Sequence, residues 1–351
     1  MARMAKNNDV EAIRLFACAE RKRTCLVPAS PRVREVLRRH INQGRVVRPA
    51  RGMYARSSYW NALPKRQRTL HVARTLQELH PQWTFCHETA AAAFDLPIPF
   101  DGMDVIHVAT SRAKRNSSSG IVRWHVVNGD TPVIAEGLRV TSLARTAFDC
   151  MRTADFKQAL AVADGTLRFS GERPSTFVTR FKRIGSTHVG TSRAIRTMWY
   201  ANALSESGGE SIARATMIEH GFALPLLQVA LPRPLDQSRT YRVDFLWTRV
   251  DGSKVIGEFD GMQKYEDAAM RGGRSALRVL ADEQHRESQL TLLGMPIVRF
   301  SYRDIMDGNA FANLLRQYGI PQSNEIARAE RRLARSKSTS AQLFTVDSLV
   351  D

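Results

Sequence analysis

Residues 255–265 read VIGEFDGMQKY. Val255, Ile256 and Phe259 have the apolar character of a buried β-strand, yet Glu258 and Asp260 lie two apart within it. Side chains two apart leave the same face of a strand, so two like charges share that face. Their mutual repulsion and the cost of burying either call for a partner. Just upstream, YRVDFLW (241–247) alternates Val243, Phe245 and Trp247 against Arg242, Asp244 and Leu246, which predicts a second strand. Asp251-Gly252 between the two is a tight-turn signal. The hairpin is expected to bring Asp244 near Glu258, with Asp260 one step along the same face. Three carboxylates then converge in a chain of net charge +18.

The neighbouring segments complete an order of helix, three strands, helix, strand. SESGGESIARATMIEHG (205–221) reads as a helix with Glu210 near its start, and LLQVAL (226–231) as the first strand. Oxygen ligands of this kind suit a divalent ion such as Mg²⁺, which takes one or two carboxylates together with water and a phosphate oxygen. The ion offsets the repulsion, lowers the pKa of a water and stabilises charge on a scissile phosphate.

Asp on one strand, then Glu-x-(basic residue) on the next, is the PD-(D/E)xK nuclease layout. Residues 205–320 resemble its branch related to the very-short-patch-repair endonucleases. The likeness rests on Glu210, Val243-Asp244-Phe245, Gly257-Glu258-Phe259-Asp260-Gly261 and Lys264-Tyr265. It continues through Glu283-x-x-Arg286-Glu287 and Gly294-Met295-Pro296-Ile297-Val298-Arg299-Phe300. The resemblance implies a restriction-endonuclease-like α/β/α domain. Asp244, Glu258 and Asp260 would be catalytic and, with Glu210, would ligate Mg²⁺ or Mn²⁺.

One departure bears on activity. Where the family carries lysine two residues after the glutamate, this chain has Asp260. Lys264, past the Asp-Gly turn, either folds back to supply the missing cation or is a solvated turn lysine. Gln263 is a second candidate for holding water. Arg286, three residues after Glu283 on a helix with Leu290 beneath, either binds phosphate or neutralises the acidic cluster. Arg299 reads as a packing and pairing residue. The alternative for the carboxylates is a site that still folds but does not cut.

Charge is the strongest global feature. Residues 1–74 hold 18 Lys/Arg against Asp9, Glu11, Glu20 and Glu35, so +14 of the net +18 lies in this fifth of the chain. Such a block points to a polyanion partner, the alternative being a solubilising surface. Within it, SPRVREVLRRHINQGRVVRPARGMYA (30–55) predicts a helix with Ser30 as N-cap and Pro31 at the first position. Val33, Val36, Leu37 and Ile41 fall on one face, Arg32, Arg34, Arg38 and Arg39 surround it, and Gly44 closes it. A basic hairpin follows: Val46-Val47, the turn Pro49-Ala50-Arg51-Gly52, then Met53-Tyr54. A winged helix-turn-helix closes in this way, the helix entering the major groove while Arg45, Arg48 and Arg51 reach phosphates. Residues 21–29 leave room for only about one turn of the usual second helix, a departure from that pattern.

TFCHETAAAAFDLPIP (84–99), VIHVAT (105–110), GLRVTSLARTAFDC (137–150) and ALAVADGTLR (159–168) follow in order. With the front end, over about residues 10–170, they resemble the AbiEi-type antitoxin proteins, whose winged helix precedes a mixed α/β domain. His87 and His107 read as structural, and Arg145 with Asp149 as an internal ion pair at i, i+4. Cys18, Cys25, Cys86 and Cys150 are scattered with no CxxC pair and read as reduced thiols of a cytosolic protein. The apolar runs are too short for a membrane span, and Met1 opens a polar, basic segment unlike a signal peptide.

The expected organisation is α/β and α+β multidomain. It comprises a winged-helix region (1–75), an antitoxin-like α/β domain (76–170), a connector (171–204), the endonuclease-like domain (205–320) and a charged tail (321–351). The tail reads as the helix NEIARAERRLARSK (324–337) followed by a disordered end. The expected function is a Mg-dependent DNA endonuclease of bacterial or phage conflict, cytoplasmic, with DNA as partner and no membrane. The alternative is an antitoxin-type transcriptional regulator whose nuclease fold is inert; a third reading has the antitoxin-like domain neutralise a toxin or phage protein. Oligomeric state is left open.

Overall fold

The computed structural model describes residues 2–99, 101–112, 118–261, 286 and 288–323. Gln263, Lys264, Glu283 and the expected tail helix lie outside the described residues. The architecture is mixed α and β, and it divides into two compact units. The first runs to Thr153 and takes in Arg180–Thr191; the second comprises Ala154–Thr179 and the chain from Ser192 onward. Among the described residues no helix is long and apolar enough to cross a membrane.

The first unit opens with α1 (Ala2–Arg21) and α2 (Pro31–Asn42). Ser30 Oγ accepts the Val33 N–H at 3.2 Å and Pro31 occupies the first turn, as the sequence predicts. Gly44, at φ +70°, follows the C-cap Gln43. Phe16 and Ala19 of α1 pack with Leu26, Val33, Leu37 and Val46. Residues 22–30 contain no helix; Leu26 instead pairs antiparallel with Tyr54. Strands β1 (Val46–Ala50) and β2 (Met53–Arg56) form an antiparallel pair that turns at Gly52, φ +80°.

After α3 (Ser57–Ala62) and α4 (Lys65–Leu79), α5 (His87–Ala93) leads to β3 (Ile106–Thr110). Strand β4 (Ser118–Ser119) pairs antiparallel, and β3 parallel, with β5 (Val122–Val126). Strands β6 (Val133–Ala135) and β7 (Leu138–Val140) form a hairpin through Glu136 and Gly137, both at positive φ as a two-residue turn of this hand requires. Helix α6 (Leu143–Thr153) carries Arg145 and Asp149, both buried, with Nε donating to Oδ2 at 2.6 Å. The expected internal ion pair is present. The four cysteines are free thiols.

The second unit begins with α7 (Phe156–Ser170). The expected connector, 171–204, holds two helices, α8 (Pro174–Ile184) and α9 (Thr191–Tyr200). Helix α10 (Gly208–His220) is joined to α7 by a buried ion pair, Arg214 Nη1 to Asp164 Oδ2 at 2.6 Å. Strands β8 (Leu226–Arg233), β9 (Asp236–Thr248), β10 (Lys254–Asp260) and β11 (Ile297–Ser301) form one sheet in the order β11-β10-β9-β8. The first three are antiparallel, and β11 runs parallel to β10. Helices α11 (Tyr302–Met306) and α12 (Gly308–Gln317) follow.

Both faces of this sheet are covered. Phe245, Trp247, Val255, Phe259 and Phe300 pack with Ile212 and Met217 of α10 and Phe311 of α12. On the other face Leu231, Tyr241, Val243, Leu246 and Ile256 pack with Leu290. Val243 is therefore not on the face of Phe245 and Trp247, which corrects the simple alternation expected for YRVDFLW. The reversal has a local cause. Opposite Asp244 stands Gln228 of β8, at φ +53°, and its neighbours Leu227 and Val229 also pack on opposite faces. A left-handed residue inside a strand breaks the period-two alternation on both sides of the pair.

Candidate functional site

The ladder between β9 and β10 runs from Lys254↔Thr248 to Gly257↔Phe245. One step further, where Glu258 comes opposite Asp244, the strands part. The Phe259 N–H donates to Asp244 Oδ2 at 2.9 Å. On the other side of Asp244, Gln228 Nε2 donates to Oδ1 at 3.4 Å and to Glu210 Oε2 at 3.2 Å. One side-chain amide thus ties two carboxylates from α10 and β9 together.

Glu210 is set by its helix. Ser207 caps α10 by accepting the Glu210 N–H at 3.1 Å, and its hydroxyl donates back to Oε1 at 2.8 Å. The Glu206 N–H donates to Oε2 at 2.9 Å. Burial raises the Glu210 carboxyl above its ordinary range; the Glu206 and Ser207 donors oppose this, while the Asp244 charge adds to it. The first turn of α10 lies against the Phe259 ring, where a Cβ on Gly209 would come within 2.1 Å of a ring carbon. Glycine at 209 is what lets the helix start approach the end of β10.

The other two carboxylates are held by arginines. Arg286 Nη2 donates to Glu258 Oε1 at 2.8 Å and to the Arg242 carbonyl at 2.6 Å, joining β10 to β9. Arg299 grips Asp260 in a two-pronged pair, Nη2 to Oδ1 at 2.6 Å and Nε to Oδ2 at 3.1 Å. Arg299 is the pairing residue the sequence suggested. The parallel register sets Glu258 beside Arg299, so Glu258 and Asp260 flank a cation on the neighbouring strand.

Asp244 and Glu210 are thus joined through Gln228, whereas Glu258 and Asp260 are each held by an arginine; the expected convergence of the four carboxylates on one ion is not what the structure shows. Among the described residues no group of three His, Cys, Asp or Glu side chains could hold a metal ion. Glu210 and Asp244, with the Gln228 amide between them, are the two carboxylates that the structure joins directly. Gln228 Oε1 is buried and has no hydrogen-bond partner among the described residues. Two carboxylates and an orphaned amide oxygen are hard oxygen donors of the type Mg²⁺ and Mn²⁺ take. Gln263 and Lys264 fall outside the described residues.

In the first unit, Arg32, Arg34, Arg38, Arg39, Arg45, Arg48 and Arg51 are all exposed. Arg38 pairs with Glu35 at 2.7 Å, Arg39 with Asp9 at 2.7 Å, and Arg45 with the Gln43 side chain. The side chains of Arg32, Arg34, Arg48 and Arg51 have no partner among the described residues.

His87 and His107 form a stack with His125, a residue the sequence reading did not single out. His87 and His125 lie 3.8 Å apart between ring centroids, and His107 Nδ1 sits 2.8 Å from His125 Nε2. Glu88 Oε2 is 3.3 Å from His107 Nε2. Burial lowers His107 and His125 to about 4 and His87 well below its usual range, so the stack is neutral at neutral pH.

Gln228 was also missed, although one polar residue inside the apolar run LLQVAL is a visible irregularity. Comparison of the chain with family models, curated proteins and solved structures returns no match.

Proposed function

We propose that the protein is a Mg²⁺- or Mn²⁺-dependent DNA endonuclease of bacterial or phage conflict. In this reading residues 1–75 form a winged helix that binds duplex, and 76–170 an antitoxin-like domain. Residues 205–320 form a restriction-endonuclease-like α/β/α domain that hydrolyses a phosphodiester. The observation that carries the reading is the joining of Glu210 and Asp244 through Gln228 where β9 and β10 part, with Glu258 next in register. When bound, the ion supplies Lewis acidity towards a phosphate oxygen and lowers the pKa of water. Asp244 is oriented for this by the Phe259 N–H, and Glu210 by the helix cap it closes. Arg286, half-buried beside Glu258, would offer its guanidinium to a phosphate. Lys264 and Gln263 are the candidates for orienting water.

The pairing of Glu258 and Asp260 with Arg286 and Arg299 favours a second reading, a DNA-binding regulator of antitoxin type whose nuclease fold does not cut. Supercoiled plasmid incubated with purified protein and Mg²⁺ or Mn²⁺ separates the two. Conversion to nicked or linear DNA supports the nuclease; retention on the same plasmid without any conversion supports the regulator.

A further inference from the structure

We infer that Gln228 is a metal ligand of this site, its side-chain oxygen serving beside Glu210 and Asp244 as the third ligand of a divalent ion. The inference rests on the metal-dependent reading above. Two observations converge on it. Gln228 adopts φ +53° in the middle of β8, a conformation that costs a non-glycine residue free energy and that Asn, Asp or Gly adopt more readily. Strain of this kind is retained where the surrounding structure imposes it, commonly at functional positions. It reverses the alternation of β8 and β9 and leaves the Gln228 amide between the two carboxylates.

The second observation is the amide itself. Its NH₂ serves both carboxylates, while Oε1 is buried with no donor among the described residues. A buried carbonyl oxygen with no donor is unfavourable, and native interiors avoid it. Half a turn about the terminal side-chain bond, a soft torsion, exchanges the NH₂ and the oxygen. Oε1 then faces the space between Glu210 and Asp244, where an oxygen can ligate a cation and an NH₂ cannot.

Full-length protein with Mn²⁺ as the probe provides the test. Saturating Mn²⁺ should raise the melting temperature of the parent relative to EDTA, because an ion that binds only the native state stabilises it. Gln228→Leu should weaken the Mn²⁺ dissociation constant measured by calorimetry about tenfold or more. Gln228→Glu keeps an oxygen and adds a charge, so it should melt lower than the parent in EDTA and gain more than the parent from Mn²⁺. An amide that merely clamps two carboxylates makes the opposite prediction for Gln228→Glu: the clamp is lost and the gain from Mn²⁺ does not exceed that of the parent. That result, or equal Mn²⁺ affinity in the parent and Gln228→Leu, overturns the inference alone. A parent that does not respond to Mn²⁺ overturns the metal-dependent reading with it. Should Gln228→Leu fail to fold, Gln228→Glu still decides.

Discussion

The backbone N–H of Phe259 donates to Asp244 Oδ2 at 2.9 Å, at the point where two paired strands separate. Asp244 thus holds the fold together with the oxygens that the proposed chemistry uses, and substitutions can separate the two roles. Asp244→Asn keeps an oxygen acceptor for Phe259 and should leave stability in EDTA within about 1 kcal/mol of the parent. It should nonetheless abolish any rise in melting temperature on adding Mn²⁺. Asp244→Ala leaves the Phe259 N–H and the Gln228 amide without their acceptor, which should cost a further 1–3 kcal/mol or so in urea denaturation.

Arg214 and Asp164 are a buried pair, and the Asn202 N–H and the Tyr200 carbonyl complete their hydrogen bonds. Asp164→Ala strands a buried guanidinium and should cost about 3–5 kcal/mol. Because Asp164 lies on α7, a fragment beginning at Ala154 should melt cooperatively, whereas one beginning at Met198 should not. A cooperative melt of the shorter fragment at the same temperature would show that α7 is dispensable to the second unit.

DNA affinity should depend most on the cations that no acidic side chain already holds. Arg32, Arg34, Arg48 and Arg51 changed together to alanine should weaken binding to a short duplex. The slope of log K against log salt should flatten by about 0.9 for each phosphate contact removed. Arg38→Ala and Arg39→Ala should do less, since Glu35 and Asp9 already share those charges. Fluorescence anisotropy across a salt series measures both; an unchanged slope in the fourfold variant would mark the basic front as a solvated surface.

Acid should weaken the first unit through its histidine stack. Burial holds His107 and His125 at about 4, whereas the unfolded chain titrates near 6.5. Between those values the unfolded state binds more protons, so stability falls as pH is lowered from about 6.5 towards 4. Each pKa unit corresponds to about 1.4 kcal/mol. Glu88, raised by burial, works in the opposite sense over the range just above its usual 4.5. His107→Gln with His125→Gln should flatten the difference in urea stability between pH 7 and pH 5. A double variant with the parent's full loss would place the acid sensitivity elsewhere, for example at buried His71.

Much of the fold was legible because it rests on local signals. Ser30, Pro31 and Gly44 delimit α2, and the strand patterns on either side of Asp251-Gly252 predict the β9–β10 hairpin. What was not legible depends on long-range partners. No local signal tells that Gln228 takes a left-handed conformation, so the reversal at Asp244 could not be read from alternation alone. His125 joins His87 and His107 only because β5 pairs with β3. Arg286 and Arg299 were legible as charge partners, but which carboxylate each holds depends on a helix and a parallel strand that arrive some 30–40 residues later. The three carboxylates expected to converge are instead engaged separately, Asp244 by an amide and Glu258 and Asp260 by two arginines.

Cleavage of supercoiled plasmid over time, by the parent and by Asp244→Asn purified alongside it, tests the central claim most directly. The account predicts that nicked or linear product accumulates with the parent in Mg²⁺ or Mn²⁺, is absent in EDTA, and is absent with Asp244→Asn, while both proteins retain the plasmid equally in a binding assay. Equal cleavage by the two proteins, or retention by the parent with no cleavage of supercoiled, linear or single-stranded DNA in either metal, would contradict it.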